Sequence, residues 1–482
     1  MNLIARWLRC PPAFAALLVV AVLFAPAAAA DYAALDWVVD SALVQPHLRG
    51  AEVAILLESL ASGEVLYERN ADRPMIPASN MKIVTGAAAL SVLGPDYRFE
   101  TTVSTDAPEL TATLAGDLYI HGTGDPSFVS EELWKLTESI RVLGIERIEG
   151  DLVLDASHFD SLNTTSRTVA KGDRAYHART GALSLNFNAI AVHTTPADRP
   201  GRPAVAQLAP GTSFVDLRSE ARTGSSKSRS SLSVRRAFEH GRNVVTVSGS
   251  VPAGSGTRVH YRSLDDGRRY FGTVLREFLE LAGVTLAGDV LFAAAPEDAR
   301  VLVVHESKPL SLVVRDLNKF SNNFVAEQLV KALSAHVDGA PGTTAGGVGV
   351  LTDHLRAAGV DSGSCHIEDG SGFSRDNRLT PRAITAVIRD ALSDFTTSYE
   401  FAASLSVSGT DGTLGDRMDY AELRNAVRAK TGLLDGITAI SGIMEDGSGE
   451  EVLFSIIVNG FSCEAWRVHD FEHSVLAVIG RS

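Results

Sequence analysis

Ser79 and Lys82 stand three positions apart, the spacing that puts two side chains on one face of a helix. A hydroxyl beside an amine is a nucleophile beside a base, provided the amine is uncharged. An ammonium near the ordinary lysine value of about 10.4 has no lone pair to offer. Two further groups follow in the chain. Ser321-Asn322-Asn323 supplies a second hydroxyl suited to relaying a proton and, at Asn323, an amide suited to binding a substrate amide. Lys430-Thr431-Gly432 supplies a cation and a hydroxyl donor that can hold a carboxylate, then a residue that leaves room for close approach to the backbone. Together they could run acyl transfer. Ser79 would attack a carbonyl, Lys82 would take its proton and Ser321 would return a proton to the departing amine. Backbone N–H groups of Ser79 and Leu433 would hold the oxyanion.

Such chemistry needs particular elements beneath it. Residues 79–93 are apolar nearly all round, with Pro77 before and Gly94 after, which predicts a buried helix beginning at the nucleophile. Burial, with a nearby cation such as Lys430, must lower the Lys82 amine. A hairpin is expected from Val53–Leu57 and Val65–Tyr67 around the turn 61–63. The stretch 310–337 carries a long helical pattern, and 351–358 another. Strands at 426–430, 437–444 and 452–460 read as an antiparallel meander, with Lys430-Thr431-Gly432 at the end of the first and a closing helix over 465–479. Between 100 and 300 the texture changes to short alternating strands separated by Gly, Asp, Asn and Pro, and the Ser/Arg/Lys-rich stretch 223–233 reads as an exposed loop.

Composition bounds the rest. The 482 residues, 45% hydrophobic and 21% charged, are those of a globular chain of about two to four domains. Arg6 and Arg9 precede an apolar run from Ala13 to Phe24 and the small residues Ala27 to Ala30, which predicts a secretory signal peptide over 1–30 and an exported protein with no membrane anchor after cleavage. Removing it takes the formal charge from -14 to -16, a poor balance for a nucleic-acid binder. Cys365 and Cys463 could form one disulfide in an oxidising compartment or remain two free thiols. No metal site or cofactor is called for: His-Glu-x-x-His, zinc-spaced Cys pairs and a phosphate-binding Gly-rich loop are all absent.

Each of the three motifs alone is weak, and Ser-x-Asn also occurs at Ser161 and Ser184. Their order, uniqueness and context make them strong: Ser-x-x-Lys and Lys-Thr-Gly occur once each, and an idle ammonium on a nearly all-apolar helix would be costly. The set is similar to that of penicillin-binding proteins and serine β-lactamases. The chain resembles the D-alanyl-D-alanine carboxypeptidase/endopeptidase family, peptidase family S13, which includes the low-molecular-mass class C penicillin-binding proteins. The resemblance extends to Gly122-Thr123-Gly124-Asp125-Pro126, Ala182-Leu183-Ser184-Leu185-Asn186, Asp369-Gly370-Ser371-Gly372-Phe373-Ser374-Arg375 and Gly409-Thr410-Asp411-Gly412-Thr413-Leu414. It implies an α/β (α+β) fold with a split β-lactamase/transpeptidase-like domain, an antiparallel sheet flanked by helices, carrying nested β-rich insertions. Ser79 and Ser321 are 242 positions apart, which leaves room for them. The expected division is 31–98 with 300–482 for the peptidase domain, 99–177 with 257–299 for a second domain and 178–256 for a third nested within it.

The resemblance further implies action on peptidoglycan stem peptides, cross-links or both, covalent inhibition by β-lactams, and a periplasmic location where the cell has an outer membrane. A homodimer is left open. Two other functions compete. A class C β-lactamase or esterase on the same fold usually carries Tyr-x-Asn where this chain has Ser321-Asn322-Asn323. A non-catalytic peptidoglycan-binding protein would show decay of the reactive residues, all of which are present.

Overall fold

The computed structural model describes residues 32, 34–46, 48–161, 172–418 and 422–481, so the expected signal peptide lies outside the described residues. Six strands build the sheet that carries the site, in the spatial order Ser406–Val407, Val427–Leu434, Ile437–Glu445, Glu451–Asn459, Glu52–Ser59, Val65–Arg69. Every neighbouring pair is antiparallel, so the N-terminal hairpin and the C-terminal meander close into one sheet. Successive side chains of a strand point to opposite faces. Val53, Ile55 and Leu57 therefore pack into one core with Phe454, Ile456, Val458 and the helices Ala34–Leu43 and Ala465–Ile479. Ala54, Leu453 and Ile457 face the other core, made with helices Met81–Leu93, Leu310–Phe320, Asn323–Asp338 and Pro381–Ser393. Because both faces are covered, the strands read as apolar runs with little alternation.

A separate core is built by residues between 103 and 286. Its largest sheet has five strands, in the order Val290–Phe292, Leu152–Asp155, Leu118–Gly122, Glu100–Thr105, Arg300–Glu306. Smaller sheets follow between 189 and 263. The two cores are fastened by Gln328, buried on the helix that begins at Asn323. Its amide accepts from Gly181 N–H at 3.0 Å and donates to the carbonyls of Gly181 (3.0 Å) and Gly124 (3.2 Å). Gly124 has φ +93, and a Cβ there would meet the Phe159 ring at 2.2 Å. The glycine-rich motif around it is part of this joint.

Four expectations need correction. The helical pattern over 310–337 is two helices, because Ser321 adopts a left-handed backbone (φ 54) that ends the first, and the Asn322 side chain caps the second by accepting from Val325 N–H. The apolar period survives the break since both helices pack on one core. Lys430-Thr431-Gly432 lies inside a strand, Val427–Leu434, rather than at its end. The helix expected at 351–358 begins earlier and runs over Thr344–Ala357, capped by the Thr343 hydroxyl despite four glycines in the region 342–349. The stretch 223–233 is a loop only between the strands Arg222–Gly224 and Ser233–Glu239. Cys365 and Cys463 are free thiols, each packed against a different core.

Candidate active site

A single turn of tighter helix, Ala78–Asn80, leads into Met81–Leu93 and sets Ser79 at the mouth of a cleft. Ala78 holds φ 47, a left-handed conformation that a residue with a side chain adopts only when its surroundings impose it. Gly372 is one of those surroundings: a Cβ on it would fall 1.8 Å from the Ala78 carbonyl oxygen. Gly432 is another. A Cβ there would sit 2.9 Å from Pro77 O and 3.1 Å from Ser79 N, so the clearance expected for a substrate is taken by the protein's own turn. Asn80, fully buried, ties the turn to the sheet by donating to the Lys430 carbonyl (2.9 Å) and lying 2.7 Å from the Ser441 hydroxyl.

Lys82 is fully buried one turn below, as the sequence spacing required. Its Nζ lies 3.0 Å from Ser79 Oγ, 2.8 Å from Asn323 Oδ1 and 2.5 Å from the Ser371 carbonyl oxygen. A neutral amine has two N–H donors and one lone pair. With an amide oxygen and a carbonyl oxygen taking the donors, the lone pair is left for the Ser79 O–H. Burial lowers this lysine to about 7, against the pull of the Asp369 and Glu327 carboxylates. The expected help from a neighbouring cation is not what lowers it. Repulsion between the two lysines weighs instead on Lys430, also fully buried, which desolvation first and Lys82 second push well below the ordinary lysine value.

Lys430 Nζ donates to Ser321 Oγ at 2.8 Å and to the Thr431 carbonyl at 2.6 Å. Thr431 Oγ1 donates to Thr413 Oγ1 at 2.7 Å. Ser79, Ser321, Asn323 and Leu433 line a cleft of about 930 Å³, closed further by Tyr176, Glu368, Phe373, Arg375, Asp376 and Asp435. The strand Ser406–Val407 pairs only with Arg428 and Ala429, so beyond them the cleft-side edge of Val427–Leu434 carries no strand partner among the described residues. All eight predicted residues thus converge, Lys82 and Lys430 beneath the cleft and the others at or beside it.

Sequence reasoning gave no role to three residues that support the site. Asp369 is buried and accepts from Gly372 N–H (2.7 Å), Ser374 N–H (2.6 Å) and Asn377 Nδ2 (2.9 Å). The Gly372 N–H belongs to the same peptide unit as the Ser371 carbonyl that binds Lys82, so this carboxylate acts on the amine through one peptide bond. Glu327 accepts from Ser371 N–H at 2.9 Å, and burial followed by the Asp369 charge raises it to about 7. It stands four positions after Asn323, on the same helix face, a spacing that could have revealed it. Thr413 lies in a motif already quoted, with nothing in the sequence to say that it meets Thr431.

Comparison with known proteins gives the family. Residues 35–475 match the family described as D-Ala-D-Ala carboxypeptidase 3 (S13). The chain belongs to that family. It is 35% identical over 439 residues to the D-alanyl-D-alanine carboxypeptidase of Actinomadura sp. (strain R39), covering 88% of this chain and 80% of the relative. It is 25% identical over 453 residues to D-alanyl-D-alanine carboxypeptidase DacB of Haemophilus influenzae, covering 88% of each. The crystal structure of penicillin binding protein 4 (dacB) from Haemophilus influenzae shares the fold, with a TM-score of 0.80 at 23% identity over 92% of this chain and 99% of that one. As an S13 member the chain is a hydrolase of the D-Ala-D-Ala carboxypeptidase class. Among the described residues no helix is long and apolar enough to cross a membrane.

Proposed function

We propose that Ser79 is the acylating nucleophile of a peptidase that removes terminal D-alanine from peptidoglycan stems and opens D-alanyl cross-links, and that penicillins acylate it covalently. The observation that carries this is the set of distances at Lys82: Asn323 Oδ1 at 2.8 Å and the Ser371 carbonyl at 2.5 Å can take both N–H groups of a neutral amine, which leaves its lone pair for Ser79 Oγ at 3.0 Å. In the proposed sequence Ser79 attacks the carbonyl as Lys82 takes its proton, and the N–H groups of Ser79 and Leu433 receive the oxyanion. Ser321, held by Lys430, relays the proton taken up by Lys82 to the leaving amine, and water then releases the acyl group from Ser79. The free strand edge beyond Ala429 offers backbone partners to an extended peptide. Thr431, with Lys430 behind it, binds the terminal carboxylate, and Asn323 binds the amide of the donor stem.

The same reading places the mature protein outside the cytoplasmic membrane, in the periplasm of a cell with an outer membrane, and treats 99–177 with 257–299, and 178–256 nested within, as inserted modules. Mass-spectrometric analysis of purified pentapeptide muropeptides and cross-linked dimers after incubation with the protein tests it. Loss of one alanine, or conversion of dimers to monomers, is expected with wild type and not with Ser79→Ala. Unchanged muropeptides with a folded wild-type protein would overturn the proposal.

A further inference from the structure

The charge of this chain is unevenly placed. Residues 178–256 hold ten Lys and Arg against four Asp and Glu, a net of +6, which leaves -20 on the remainder of a -14 chain. The excess gathers at one corner. Gly201 N–H donates to the Thr223 carbonyl (2.8 Å), Thr223 N–H donates to the Arg202 carbonyl (2.8 Å), and Arg202 N–H closes a turn onto the Arg199 carbonyl (3.4 Å). Arg222 reaches across the same joint to the Gly201 carbonyl. The loop that carries Lys227 and Arg229 leaves directly from Gly224 and folds Ser228 back against it.

Arg199, Arg202, Arg222, Lys227 and Arg229 are therefore neighbours, all are exposed, and none makes an ion pair among the described residues. The nearby acids Asp198 and Glu220 are exposed and make none with them either. By contrast Arg218, Arg236 and Arg242 of the same stretch pair with Glu239, Asp265 and Asp216. None of the five lines the catalytic cleft.

We infer that this corner is a docking patch for the carboxylate-bearing peptide stems of the peptidoglycan polymer, separate from the site that cuts them. Only the identity of the polymer rests on the proposed function. A polymer that repeats carboxylates along its length meets several cations at once, so individually weak contacts add through effective concentration. The acidic remainder of the chain is repelled by the same polymer, which favours approach corner first. A lipid surface fits less well, because interfacial anchoring needs large apolar side chains between the cations, and here the intervening residues are Pro200, Gly201, Ser225, Ser226, Ser228 and Ser230.

The test compares wild type with the variant Arg199→Ser, Arg202→Ser, Arg222→Ser, Lys227→Ser, Arg229→Ser for co-sedimentation with purified insoluble peptidoglycan. Both proteins carry the same cleft, so a difference between them reports the patch, and acylation by benzylpenicillin reports that each is folded. We expect the variant to bind at least about tenfold more weakly at low salt with its acylation rate unchanged, and wild type to be released as salt rises from about 50 to 500 mM. Peptidoglycan whose carboxyls have been amidated should fail to retain wild type, an arm that needs no variant. Equal retention of wild type and variant, equal retention on amidated polymer, or tighter binding of wild type to anionic phospholipid vesicles than to peptidoglycan would overturn the inference. Failure of wild type to acylate would count against the proposed function, while the amidated-polymer arm would still decide the patch.

Discussion

Replacing Glu327 by Gln tests how the base is made. Acylation requires Lys82 as the free amine, and burial brings it to about 7. A lysine near its ordinary value of about 10.4 would be free only about once in a few thousand molecules at pH 7, so burial raises the competent fraction by roughly three orders of magnitude. The sign follows: the rate of acylation climbs as pH rises through neutrality and falls about tenfold per unit well below it. Glu327 complicates that limb, because it too is raised to about 7 and pulls Lys82 upward when it ionises. The two groups lose their protons together, which makes the wild-type limb shallower than a single ionisation.

Gln keeps the acceptor for Ser371 N–H and removes the charge. The limb should then steepen to one proton and move to lower pH by about half a unit to one unit, and the two proteins should reach the same plateau at high pH. Stopped-flow acylation by a chromogenic β-lactam between pH 5 and 9.5 measures this. A limb that does not move, or a rate depressed equally at every pH, would mean that the Glu327 charge does not act on Lys82 and would leave Glu327 a merely structural residue.

Other consequences are equally direct. Lys82→Met should abolish acylation and stabilise the fold. Because the native amine binds fewer protons than the unfolded one between about pH 7 and 10.4, the native penalty is full below that window and fades across it, so a gain of about 1–3 kcal/mol should appear at pH 6 and shrink toward pH 10 in thermal unfolding. Gly432→Ala puts a Cβ 2.9 Å from Pro77 O and 3.1 Å from Ser79 N. A displacement of the turn of this kind should slow acylation by about 10²-fold with little loss of secondary structure by circular dichroism. Gln328→Leu strips the buried partners from Gly124 and Gly181 and should cost about 2–4 kcal/mol in denaturant unfolding, with the loss appearing where the two cores meet.

The site was legible in the sequence because its chemistry is local in three places. Ser79 with Lys82, Ser321 with Asn323, and Lys430 with Thr431 are each held close by a spacing of a few residues, and only the meeting of the three pairs depends on the fold. What supports them was not legible. Asp369 acts on Lys82 through a peptide bond contributed by Ser371 and Gly372, and no pattern in the chain announces a contact between residues 289 positions apart. The break at Ser321 was hidden because the helices on either side present apolar residues to the same core, so periodicity continues where the backbone does not. The sheet was read correctly from its strands, yet the placement of Lys430-Thr431-Gly432 within its strand depended on pairing with residues 439–441, a tertiary fact.

In the proposed chemistry Ser79 attacks a carbonyl and carries the acyl group until water releases it. Intact-mass measurement of the protein after exposure to benzylpenicillin, beside Ser79→Ala, tests it most directly. We expect wild type to gain the mass of one penicillin and the variant to gain none. An adduct that persists in Ser79→Ala, or a folded wild type that gains no mass and leaves penicillin intact, would contradict it.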